Sequence, residues 1–131
     1  MNAFEYVDTL WFLCAENEEL RDLLNISEDE DYSLKIRQED VSAEGYDADK
    51  LPFIAMYFYE AWTTYNDFAN LGYLYIDIYA PTREAVPAIR KIIVDTMHEH
   101  FNERVRNEGQ QQSGVHAVYK YRLEFTPLIS T

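Results

Sequence analysis

Two adjacent strand patterns limit the possible folds more than any other feature. Phe53 to Trp62 is an aromatic run just after Pro52, and Leu71 to Ala80 alternates with period two. In the second run Leu74, Ile76 and Ile78 share one face, and Tyr73, Tyr75, Asp77 and Tyr79 share the other. Successive strand side chains point to opposite faces, so the sheet gains one aliphatic and one aromatic face. Residues 63–70 join the two runs, which is most simply a hairpin.

Helical patterns flank this hairpin. Phe4, Val7, Trp11 and Cys14 recur at helical spacing, and Leu10, Leu13, Leu20, Leu23 and Leu24 widen the stripe, so a helix is expected over residues 4–24. Asn25 suits a left-handed position at its end, with Ile26 folding back. Ser27 and Glu30 fit a capping box for a short helix through Ile36. Val86, Ile89, Ile92, Ile93, Met97, Phe101 and Val105 mark a second long helix, which Thr82 would cap. Residues 107–114 read as a flexible loop, and a last strand is expected from about Val115 to Phe125. Two amphipathic helices can cover one face of a small sheet. The expected fold is therefore α+β and two-layer, with a small, mostly antiparallel sheet and both helices on one face. A chain of 131 residues fits one domain, 1–131.

Charge narrows the function classes. Net charge is −13, with 16 acidic and 4 basic residues before position 67. Thirteen of those acids lie in residues 16–50, and an acidic segment spans 27–50. Such a chain repels phosphate, so nucleic-acid and anionic-membrane binding are disfavoured. The run at 27–31 fails as a calcium loop: counting from Asp29, position six is Leu34 and position twelve is Asp40. No apolar run approaches a membrane span, and the first residues have no basic n-region before an apolar core. The single cysteine, Cys14, fits a reducing compartment.

No catalytic, cofactor or metal site is expected. His98 and His100 are two apart and diverge on a helix, so they cannot chelate one ion. His116 stands alone on the last strand, and Cys14 lies on an apolar stripe. Asp95, Glu99 and Glu103 form a solvated helix face. Four glycines offer no phosphate-binding loop.

The eleven tyrosines are more informative. With the aliphatic face turned to the helices, Tyr57, Tyr59, Tyr73, Tyr75 and Tyr79 fall on the opposite face. Lys120 and Arg122 of the last strand join them as cation–π partners. Aromatic side chains and Arg dominate protein interfaces, so these seven residues are the candidate partner surface.

The segments Leu51-Pro52-Phe53-Ile54-Ala55-Met56-Tyr57-Phe58, Tyr75-Ile76-Asp77-Ile78-Tyr79-Ala80-Pro81-Thr82 and Gly114-Val115-His116-Ala117-Val118-Tyr119-Lys120-Tyr121 carry a family resemblance. They resemble the strands of tail terminator and head–tail joining proteins of long-tailed bacteriophages, over roughly residues 4–24 and 51–128. The resemblance implies a non-enzymatic virion protein of the tail or neck, made in the host cytoplasm. It implies assembly with itself as a ring, commonly hexameric, that caps the tail tube and meets head connector proteins. Genomic DNA would pass through without specific binding, with no cofactor and no membrane. Acidic walls that repel phosphate agree with that passage. The alternative is an acidic DNA mimic, or another protein-binding inhibitor.

Overall fold

The computed structural model describes residues 1–27, 31–41, 50–63, 69–115 and 117–130. In chain order the elements are α1 (Ala3–Glu16), α2 (Glu18–Leu23), β1 (Ile36–Arg37), β2 (Phe53–Thr63), β3 (Ala69–Ala80), α3 (Val86–Phe101), β4 (Asn107–Gln111), β5 (Tyr119–Phe125) and β6 (Leu128–Ser130). The sheet runs β1-β2-β3-β5-β4, with β6 also paired to β3. Only the short β1–β2 pair is parallel. This is the expected α+β, mostly antiparallel architecture.

The hairpin β2–β3 sets the frame, with Phe53 opposite Tyr79, Met56 opposite Ile76 and Phe58 opposite Leu74. An irregularity after Phe58 leaves Tyr59 outside the ladder, and pairing resumes at Glu60 with Tyr73. Ile54, Met56, Leu74, Ile76, Ile78, Leu123 and Phe125 form the inner sheet face, all essentially inaccessible. Leu10 and Cys14 from α1, Leu20 from α2 and Ile89, Ile93 and Met97 from α3 close over them. Both long helices thus lie on one face.

The expected helix over 4–24 is two helices. Asn17 interrupts it: its side chain accepts from the Leu20 N–H and caps α2, with Glu18 and Glu19 in the first turn. Asn25 is left-handed as expected (φ 57°), and the Ile26 N–H donates back to the Arg21 carbonyl. On α1 the buried line is Tyr6, Val7, Leu10 and Cys14, while Phe4 is 82% exposed. The helix is rotated so that Tyr6 stacks on Phe101 (4.4 Å) and meets Phe58 edge-on (5.8 Å), which turns Phe4 outward.

Other expectations shift. The capping box at Ser27 and Glu30 lies partly outside the described residues. Asp31 caps a single 3₁₀ turn, Tyr32–Leu34, and Ile36 belongs to β1, whose carbonyl accepts from Trp11 Nε1 (2.7 Å). Before α3, Thr82 makes no side-chain cap; another 3₁₀ turn intervenes. The left-handed Asn102 (φ 54°) ends α3 before Glu103 can extend its polar face.

The expected loop 107–114 is a strand over its first five residues. Arg90 on α3 donates twice to Glu108 (2.6 and 2.7 Å), and Tyr121 Oη donates to the same carboxylate. These contacts fasten β4 along β5. The strand expected from Val115 begins only at Tyr119, as β5, because Ala117 is left-handed (φ 63°), and a further strand, β6, follows it. His116 lies outside the described residues.

Candidate functional site

The outer sheet face is organised around one buried carboxylate. Asp77 on β3 stands between Ala55 on β2 and Arg122 on β5. Arg122 Nε donates to Asp77 Oδ1 (2.8 Å), Tyr57 Oη donates to Oδ2 (2.8 Å), and Arg122 Nη2 donates to Tyr57 Oη (3.1 Å). Lys120 Nζ lies 3.7 Å from Oδ2. Burial is the main influence that pushes the Tyr57 hydroxyl above its ordinary value, and the Asp77 charge adds to it. Burial opposes the Arg122 charge, but the hydrogen bonds and charge of Asp77 outweigh it and hold the guanidinium above its ordinary value.

The same cations cover aromatic rings, as the alternation suggested. Arg122 lies 4.3 Å from the Tyr75 centroid and Lys120 Nζ 5.3 Å from that of Tyr79. Tyr59 stacks on Tyr75 at 5.3 Å, and Tyr57 meets Tyr75 edge-on at 5.9 Å. The seven predicted residues therefore share one face, but they do not share one exposure. Tyr79 and Lys120 are buried, because Val41, Leu51 and Val118 pack on the small cluster of Phe53, Ala55 and Tyr79. Tyr57 is buried too, with its hydroxyl turned to Asp77. Tyr73, Tyr75 and Arg122 are half-buried, and Tyr59 is 66% exposed. The part open to a partner is the Tyr59–Tyr73–Tyr75–Arg122 end.

Beside that end, Tyr75, Arg122, Glu124, Asn107, Gly109 and Gln111 line a shallow concavity of about 270 Å³. Gly109 lies opposite Arg122, and a Cβ there would meet nothing within 4 Å. This wall is not legible in the sequence, where residues 107–114 read as a loop. Asp77 falls on the outer face of the β3 alternation but is not among the candidate site residues, although one acid beside three tyrosines is the available signal.

Among the described residues no three His, Cys, Asp or Glu side chains gather as a metal site. His98 and His100 are exposed in the last turn of α3. Cys14 is buried, and that burial pushes its thiol up to about 12. Among the described residues no helix is long and apolar enough to cross a membrane. No protein-family model matches the chain, and no curated protein sequence does.

Proposed function

We propose that this chain is a non-enzymatic virion structural protein that assembles as a ring at the head–tail junction and caps the phage tail tube. The observation that carries the reading is the open end of the outer face. Tyr59 and Tyr75 are stacked, and Arg122 lies over the Tyr75 ring while being anchored itself on Asp77. A rigid aromatic pair locked by a buried ion pair is pre-organised for a protein partner, because little side-chain freedom remains to be lost on binding. The segment resemblance supplies the partners: copies of itself, the tail tube and the head connector proteins. The net charge of −13 suits a ring through which DNA must slide.

The test is a Tyr59→Ala/Tyr75→Ala variant. Arg122 is unsuited to it, since its removal would leave the buried Asp77 carboxylate with Lys120 at 3.7 Å and the Tyr57 hydroxyl as a neutral donor. The paired tyrosine variant should keep the parent's circular dichroism and fail to restore infectivity in a phage lacking this protein, leaving uncapped or overlong tails. Normal folding with full titres of intact virions would refute the reading.

A further inference from the structure

The two ends of the sheet are different surfaces. On one side the sheet ends at β4; on the other, no described strand lies outside β2 beyond Ala55. An open strand edge presents N–H and C=O groups that another chain can pair with, and proteins usually blunt it with Lys or Pro. β4 reads Asn107-Glu108-Gly109-Gln110-Gln111 and has neither; its one charge is turned back onto Arg90. Beside β2 past Ala55, α1 and residues 38–40 flank a groove of about 540 Å³, with Gln38 Nε2 donating to Asp8 Oδ1 (2.7 Å). Val7 and Phe58 line it and the exposed Phe4 forms its lip, with Asp8, Glu39 and Asp40 around the apolar surface.

The opposite edge carries the matching charge. Arg104 and Arg106 lead into β4, both are exposed, and among the described residues neither pairs with a carboxylate. They also stand at the matching height. Phe58 pairs with Leu74, Leu74 pairs with Phe125, and the Arg106 N–H donates to the carbonyl of the adjacent Glu124. Arg106 is thus level with the Phe58 groove at the far side of the sheet. Three successive antiparallel pairings make β4 run opposite to β2. A second molecule placed in the same orientation therefore presents its β2 antiparallel to β4.

We infer that β4 of one copy docks on the β2 edge of a second copy, with Arg104 and Arg106 facing Asp8, Glu39 and Asp40 and with Phe4 covered. A second copy is the favoured occupant because it supplies strand edge, charge and height together. The two surfaces lie at opposite ends of the sheet, so the contact is head-to-tail and repeats until a ring closes. The inference rests on the ring reading above and specifies its subunit contact.

Two charge-reversed chains test it, Asp8→Lys/Glu39→Lys/Asp40→Lys and Arg104→Glu/Arg106→Glu, each checked for folding by circular dichroism. Sedimentation is run at low ionic strength and millimolar protein. The parent should form closed oligomers, and each reversed chain alone should associate at least about tenfold more weakly. An equimolar mixture of the two should regain assembly, since every acidic groove then has an Arg edge and every Lys groove a Glu edge. A monomeric parent, reversed chains that assemble as the parent does, or a mixture that stays monomeric would each overturn the inference. Oligomers that obey the charge swaps beside intact virions from the Tyr59/Tyr75 variant would instead sink the virion reading and leave this contact standing.

Discussion

The two faces of the sheet solve burial in opposite ways. On the inner face, residues such as Ile76 and Leu123 belong to one large apolar cluster under α1 and α3. Its stabilisation comes from area removed from water. The outer face buries Asp77 and Lys120 at one end and leaves Tyr59 in solvent at the other. Its cohesion depends on hydrogen bonds and charges that must all be present, because a buried ion without its partner is costly. Apolar burial suits a face whose only task is folding. An ion pair that props an aromatic pair suits one that must keep a fixed shape while half exposed.

The largest effect expected of any single change breaks the outer face. Asp77→Ala leaves Arg122 and Lys120 half-buried or buried without their carboxylate and should cost about 3–5 kcal/mol in urea denaturation. A loss below about 1 kcal/mol would mean that the cluster does not hold the face together. On the inner face, Ile76→Ala should cost about 2–5 kcal/mol, and Phe101→Ala less, because Phe101 is only half-buried against Tyr6. Equal losses for the two would show that the Tyr6–Phe101 stack contributes as much as the centre of the core.

Gly72→Ala comes next. A Cβ at Gly72 would stand 2.6 Å from the Phe58 ring, so Phe58 must move, at about 1–3 kcal/mol. A melting temperature equal to the parent's would show that the ring has room to shift. The smallest effect is a pH dependence at the sheet's edge. The Arg90 hydrogen bonds come first among the influences that hold the Glu108 carboxyl below its ordinary value, and Tyr121 assists. The pair therefore stabilises the fold above the usual carboxylate range and loses that effect as pH falls through the lowered folded value. Both side chains are partly exposed, so Glu108→Gln should cost roughly 1 kcal/mol at neutral pH, with the difference from the parent vanishing in acid. No difference at any pH would assign β4's attachment to main-chain pairing alone.

Much of the frame was legible in the residues. The alternation of Leu74, Ile76 and Ile78 against Tyr73, Tyr75 and Tyr79 fixed the two faces, because strand periodicity is a local steric property. The stripe from Val86 to Met97 and the left-handed Asn25 were readable for the same local reason. The helix break was also written, as Asn17 before two glutamates, but a continuous leucine pattern hid it.

What the sequence did not decide depends on residues far apart in the chain. Nothing in Asn107–Gln111 favours a strand; β4 exists because Arg90 and Tyr121 meet Glu108 and β5 offers an open ladder. Alternation placed Tyr79 and Lys120 on the outer face, but Val41, Leu51 and Val118 decided that this end is covered. Helical spacing set Phe4 on the apolar stripe of a helix, and only the Tyr6–Phe101 stack decided that it faces outward. Local sterics set which residues share a face. Whether that face is buried, paired or open depends on what the rest of the chain brings against it, and that is a property of the assembled structure.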